Sequence, residues 1–357
     1  MLQKALVLAL VVASIASFVS CYGTSSHFVY AAIPAANQLA AFRGDPYSGV
    51  LTQLSGSPYS VGDGVRALAL HPSGKFLYAS NPGQNEDDIS LFTIQSDGTL
   101  SEVPPRTAAG TSPTLLAMDP AGAYLYVGNA LSNDISVFSI ASGTGVLSPI
   151  TESPFHINLP PTNMQISPSG NYLYISAPSS PTGVIAIFSL SSGVPTFAGT
   201  VATADNNPTG LAIDPSGSYL YTTNTSANSI SIFSIGSNGA LTAVAGSPLA
   251  GASLAQPDAV LVDPAGQYLY VANLGSPSDI GSFSITAGTG FPAAITDSPF
   301  GSEAEPSTLA IDPSGKYLYV GNQTSGGVQA FGSSGGSLNS IATYPLGNGI
   351  TSIVVVQ

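Results

Sequence analysis

Cationic side chains are scarce in this chain: six Lys and Arg stand against 19 Asp and Glu, for a formal net charge of −13 over 357 residues. Such a field repels polyanions, which excludes nucleic acid, anionic lipid faces and multiply phosphorylated molecules as partners, since all of these rely on clustered Lys and Arg. Cysteine is nearly absent. Cys21 is the only one, so no intramolecular disulfide can form. The sequence has no Gly-rich phosphate loop, zinc-ligand spacing, nucleophile elbow or EF-hand, and neither a metal nor a cofactor is expected. Also missing is an apolar run long enough to span a bilayer, because the run that opens at Ala5 ends near Val12.

That short run belongs to "MLQKALVLALVVASIASFVS", Met1 to Ser20, in which one cation, an apolar stretch and small residues follow in the order of a secretory signal. Cys21 comes next. "FVSC" resembles the bacterial lipobox, although Phe18 stands where that motif usually has Leu. The resemblance implies lipidation of Cys21 and an exported protein of the cell envelope, anchored in the membrane by several acyl chains. The expected division is a signal peptide over 1–20, a tether over 21–26 and one folded domain over 27–357.

What the chain has in abundance is glycine, 39 residues, and proline, 28, with 44% of residues hydrophobic and only 7% charged, a composition suited to short strands and tight turns. One stretch recurs. It reads "HPSGKFLYASN" from His71, "DPAGAYLYVGN" from Asp119, "SPSGNYLYISA" from Ser167, "DPSGSYLYTTN" from Asp214, "DPAGQYLYVAN" from Asp263 and "DPSGKYLYVGN" from Asp312, at steps of 48, 48, 47, 49 and 49 residues. Within one period, "GLAI" (Gly210 to Ile213), "YLYTT" (Tyr219 to Thr223), "SISIFSI" (Ser229 to Ile235) and "LTAVA" (Leu241 to Ala245) read as four strands separated by turn-forming residues. Four antiparallel strands per period make a β-propeller blade, whose first strand lines the central channel.

Seven second strands can be counted, from Phe28 to Tyr317, and the last first strand is "GITSIVVV", Gly349 to Val356. The fold class expected is therefore all-β: a seven-bladed β-propeller closed by pairing of the C-terminal strand with "HFVYAA", His27 to Ala32, which leaves no raw edge in the ring. A monomer is expected. These repeats resemble those of YVTN-type seven-bladed propellers, including the lactonase-like (6-phosphogluconolactonase-like) family. The resemblance implies a channel-mouth site with His, Arg and Glu side chains, but no motif here transfers those roles to particular positions.

Strand direction places the "DPSG" turns on one face, the bottom, where their Asp residues are expected to accept backbone hydrogen bonds and set the turn. The opposite, top face carries the candidates for function. Arg66, Thr114, Thr162, Thr209, Asp258 and Ser307 hold one register at the start of successive first strands, and should ring the channel mouth as contacts for a small molecule or protein partner. Asn81, Asn129, Asn224, Asn273 and Asn322 end second strands on the same side and are expected to cap them. Lactone hydrolysis needs a polarising cation and a base or water-orienting group. Arg66, Arg106 and His156 are the candidate catalytic residues, expected to converge over the mouth, with Asp258 or the "NEDD" loop (Asn85 to Asp88) supplying carboxylates. That loop and Asp63, Asp205, Glu303 and Glu305 are expected to form a solvated acidic rim. The reading favoured by the sequence is ligand or partner binding at the top face without catalysis; the alternative is a hydrolase acting on a sugar lactone.

Overall fold

A computed structural model describes residues 26–84, 86–204 and 207–357. The signal peptide, most of the tether, Cys21, Asn85 and Asp205 lie outside the described residues. Among those described, a single 3-10 turn at Pro34–Ala36 is the only helical element, and no helix is long and apolar enough to cross a membrane.

Seven antiparallel sheets follow one another around a ring. Blade 1 is composite, running outward from Ser352–Val356 through His27–Ile33 and Gln38–Gly44 to Leu51–Gln53. In blades 2 to 7 the first two strands are Leu68–Leu70 and Phe76–Asn81, Pro113–Met118 and Tyr124–Asn129, Asn163–Ile166 and Tyr172–Ala177, Pro208–Ile213 and Tyr219–Asn224, Pro257–Val262 and Tyr268–Asn273, and Pro306–Ile311 and Tyr317–Asn322. The expected closure is present: Phe28 pairs with Val356, Tyr30 with Val354 and Ala32 with Ser352. The closing strand is also tied to both neighbouring blades, through Thr308 Oγ1, which accepts the Ile353 N–H at 3.3 Å, and Ser352 Oγ, which accepts the Leu68 N–H at 3.1 Å.

Second strands are buried on both faces because each sheet is sandwiched between two others, and this is why they read as near-continuous runs of Tyr, Leu and Val. The second tyrosine of each "YLY" is fully buried in the interblade core. In four blades its hydroxyl reaches the turn between the third and fourth strands of the next blade: Tyr30 donates to the Gly98 carbonyl at 2.8 Å, Tyr78 to Gly145 at 2.7 Å, Tyr174 to Gly239 at 2.9 Å and Tyr221 to Gly290 at 2.8 Å. Burial pushes these hydroxyls well above the ordinary tyrosine range, so they remain protonated donors.

The Asp residues of the bottom turns behave as turn formers. Asp312 Oδ1 accepts the N–H groups of Lys316 and Tyr317, each at 2.7 Å, and Asp263 Oδ1 those of Gln267 and Tyr268, each at 2.6 Å. Repeated copies of this motif thus fix the entry of each second strand and clasp each blade to its successor.

The outer edge departs from four plain strands. In five blades the fourth strand stops after three residues, and the chain returns to the same third strand for two more, at Tyr59–Ser60, Thr107–Ala108, Phe155–His156, Leu249–Ala250 and Phe300–Gly301. The break leaves one N–H of the third strand without its ladder partner. A serine of the "SP" pairs in the break fills the role, as Ser57, Ser153, Ser247 and Ser298 Oγ accept the N–H of Ala41, Val137, Ile232 and Ser282, each at 2.9 Å.

Candidate functional site at the channel mouth

Each inner strand begins with a buried apolar residue followed by a polar one: Val65 before Arg66, Pro113 before Thr114, Pro161 before Thr162, Pro208 before Thr209, Pro257 before Asp258 and Pro306 before Ser307. The buried residue wedges between blades and the polar one falls on the channel. All six polar residues line a single cavity of about 620 Å³ at the top of the channel, with Leu68, Leu116, Leu211, Leu261 and Leu309 farther along the same strands. Blade 1 completes the ring with Thr351, which the sequence reading passed over. The signal was available, since Ile350-Thr351 aligns with the Pro-Thr pairs of blades 3, 4 and 5. Asn163, Gln165, Asn207 and Ser352 also line the cavity.

Much of the ring's hydrogen-bonding capacity serves the fold. Thr162 Oγ1 donates to the Pro208 carbonyl at 2.6 Å, and Ser307 Oγ to that of Ile350 at 3.2 Å, so each staples its strand to the next blade. Thr209 Oγ1 lies 2.8 Å from Thr225 Oγ1 and 3.1 Å from the Asp258 carbonyl, to which Thr223 also donates at 2.7 Å. Arg66 and Thr114 differ. Among the described residues, neither side chain has a hydrogen-bond or ion-pair partner, and Arg66 is exposed at the mouth.

Among the described residues, Asp258 is the only carboxylate lining the cavity and Arg66 its only cation. Burial raises the carboxyl of Asp258 above the usual aspartate range, while the Thr209 hydroxyl and the field of Arg66 draw it partly back. The two groups belong to blades 2 and 6, across the ring, and are not in ion-pair contact.

The structure corrects the expected convergence of three catalytic candidates, since Arg106 and His156 do not line the cavity. The Arg106 guanidinium is held on the outer part of blade 2 by Glu102 at 2.8 Å and Glu86 at 3.0 Å. His156 is in the returning two-residue strand at the outer edge of blade 3, paired with Asp134. The carboxylates of the "NEDD" loop are engaged as well. Glu86 accepts the Asp63 N–H at 2.6 Å, Asp87 the Ser112 N–H at 2.7 Å and Asp88 the Asn81 amide at 2.7 Å. Of the rim acids, Asp63 accepts from the Asn37 amide at 2.8 Å, Glu303 from Thr343 at 3.3 Å, and Glu305 is bonded to Thr324. No group of three His, Cys, Asp or Glu able to hold a metal occurs among the described residues.

The strand-end asparagines are fully buried: Asn129 donates to Asp134 at 2.6 Å and Ser136 at 2.9 Å, and Asn224 to Ser229 and Ser231. Asn224 and Asn322 therefore cannot serve as glycosylation acceptors in the folded protein, although both head a sequon.

The fold and site can now be set beside known proteins. Among solved structures, the chain is similar to a provisionally assigned 6-phosphogluconolactonase of Bacteroides uniformis, at 19% identity and a TM-score of 0.81, over 93% of this chain and 99% of that one. It is similar to the periplasmic gluconolactonase of Pseudomonas aeruginosa at 18% identity and a TM-score of 0.77, over 93% and 99% of the two chains. A hydrazine synthase chain of Kuenenia stuttgartiensis also aligns, at 20% identity and a TM-score of 0.62 over 84% and 92%, which shows how widely the architecture is shared. No curated protein matches. The family model described as "Lactonase, 7-bladed beta-propeller" matches residues 57–158, 155–256 and 247–354. On that coverage, the chain belongs to the lactonase seven-bladed β-propeller family.

Proposed function

We propose that this protein is an exported propeller, anchored through Cys21, that binds a small ligand at the mouth of its channel and does not hydrolyse it. The observation that carries the reading is the composition of the cavity: one guanidinium and one carboxyl group on opposite sides of a ring otherwise made of hydroxyl, amide and apolar groups. Opening a lactone requires a cation at the carbonyl oxygen and a base beside the attacking water, both within hydrogen-bond reach of one reacting centre. Arg66 and Asp258 stand on different blades and are not in ion-pair contact, and among the described residues no His, Lys or Glu lines the cavity.

Family membership favours a second reading, hydrolysis of a sugar lactone with Arg66 polarising the carbonyl and Asp258 as base. One experiment separates the two. The purified body, residues 26–357, is incubated with a panel of sugar lactones while ring opening is followed by acid release, and binding of the same compounds is measured by calorimetry. Binding lost in Arg66→Ala with no turnover supports the first reading; turnover abolished by Arg66→Ala establishes the second. The anchor is tested by detergent-phase partition of the full chain, which Cys21→Ser should abolish.

A further inference from the structure

The groups of the cavity that remain available to a ligand are unevenly distributed. On blades 4, 5, 7 and 1, the hydroxyls of Thr162, Thr209, Ser307 and Thr351 face carbonyls of the next blade. On blades 2, 3 and 4, the Arg66 guanidinium, the Thr114 hydroxyl, the Asn163 amide nitrogen and the Gln165 amide have no partner among the described residues. These four come from adjacent blades and make one contiguous arc. Asp258 faces the arc from the far side of the ring.

Among the described residues, Arg66 is also the one cation free to take an anion on this face. Arg106 is bound to two carboxylates, Arg43 lies over the Phe28 ring and donates to the Asp97 carbonyl, and Lys75 and Lys316 belong to bottom turns. A guanidinium presents a planar fork that matches a carboxylate with two parallel hydrogen bonds. Hydroxyl and amide groups beside it match the hydroxyls of a short polyol stem.

Resting on the channel-mouth reading above, we infer that the ligand is a small hydroxylated monocarboxylate, with its carboxylate on Arg66 and its hydroxyl-bearing stem along Thr114, Asn163 and Gln165, and that Asp258 filters charge by opposing a second negative group. A phosphorylated sugar is disfavoured twice, because its phosphate approaches a charge of −2 at neutral pH and because, among the described residues, the cavity has no second cation to offset it. Among the described residues, Arg66 is the only charged group facing Asp258 within the cavity, and the ring positions that flank Asp258, namely Thr209 and Ser307, are neutral. Protonation of Asp258 removes its repulsion toward the bound anion. Because burial raises its carboxyl above the usual aspartate range, this happens at a higher pH than for an exposed aspartate, before the ligand's own carboxylate is protonated.

The test is calorimetric titration of residues 26–357 with D-glucuronate, D-glucose and D-glucose 6-phosphate at pH 8 and pH 5. Glucuronate should bind best, at least tenfold more weakly to Arg66→Ala and to Arg66→Lys, which keeps the charge but loses the fork. Its affinity should be higher at pH 5 than at pH 8 in the native protein and equal at the two in Asp258→Asn. Circular dichroism of each variant checks folding, which an exposed arginine and a half-buried aspartate should not disturb. If glucose or glucose 6-phosphate binds as tightly as glucuronate and depends on Arg66, the ligand class is wrong while the mouth remains the site. If glucuronate binds but ignores Asp258→Asn, the charge filter is wrong. If none of the three binds, the inference falls, and the lactone panel then decides whether the mouth reading falls with it.

Discussion

Deletion of Ile350–Gln357 removes the innermost strand of blade 1 and tests whether the ring depends on its composite closure. The five pairs from Phe28↔Val356 to Ala32↔Ser352 are lost, along with the side chains of Ile350 and Ile353, which are 0% and 5% exposed. Full burial of an isoleucine contributes about 1.5–3 kcal/mol, so the two together supply about 3–6 kcal/mol. The ladder's hydrogen bonds add about 1 kcal/mol each, net. A loss on this scale is comparable with the whole stability of an ordinary domain, about 5–15 kcal/mol. At about 2 °C per kcal/mol for a chain of this length, the melting temperature should fall by about 10 °C or more. The assay is thermal unfolding by circular dichroism, with Ile353→Ala as an intermediate case at about 2–5 kcal/mol. A truncated protein that melts within 2 °C of the intact one would refute the closure argument.

Two other outcomes follow from buried groups. Tyr78→Phe leaves the Gly145 carbonyl without its donor, which should cost about 1–3 kcal/mol in urea denaturation, whereas Tyr124→Phe, at the partly exposed first position of the second strand of the next blade, should cost less. His27 is buried at the seam between blades 7 and 1, with its Nε2 2.5 Å from the Tyr319 hydroxyl and its ring stacked on Tyr317. Burial lowers its pKa below the ordinary 6.5, and Asp312 and Asp45 offset only part of this. The unfolded chain therefore binds a proton that the native state refuses, so stability is complete above pH 6.5 and declines as pH falls from there toward the lowered native value. The difference in stability between the native protein and His27→Phe should shift in favour of the variant from pH 7 to pH 5; no shift would show that His27 is not desolvated.

The architecture was legible because a period of about 48 residues aligns seven copies, and alignment supplies what a single segment cannot, namely register. Register alone places Arg66, Thr114, Thr162, Thr209, Asp258 and Ser307 at one level of the ring, and all six line one cavity. The same argument failed for Arg106 and His156. Both lie in the connection from fourth to first strand, where a break at Pro104-Pro105 in blade 2 and at Ser153-Pro154 in blade 3 sends the chain back along the outer edge of the blade instead of across the top. The serine-proline pairs that mark the detour in four blades are replaced by Pro104-Pro105 in blade 2, and the attachment of Arg106 to Glu86 and Glu102 depends on side chains in a loop that the other blades do not share. The engagement of ring hydroxyls with neighbouring carbonyls was equally hidden, since a threonine facing a ligand and one stapling a blade have the same sequence.

The ring register has a consequence for how such a protein can change. Seven positions, Arg66, Thr114, Thr162, Thr209, Asp258, Ser307 and Thr351, occupy one equivalent place in seven near-identical units, each set behind a buried residue that fixes its backbone. A substitution there alters the chemistry of the mouth while the Tyr clasps, Asp turns and serine plugs that hold the blades are untouched. Duplication of a blade supplies the frame, and divergence at one site per copy writes the specificity. A common scaffold can thus acquire a new ligand by a few single-residue steps, none of which has to pass through an unfolded intermediate.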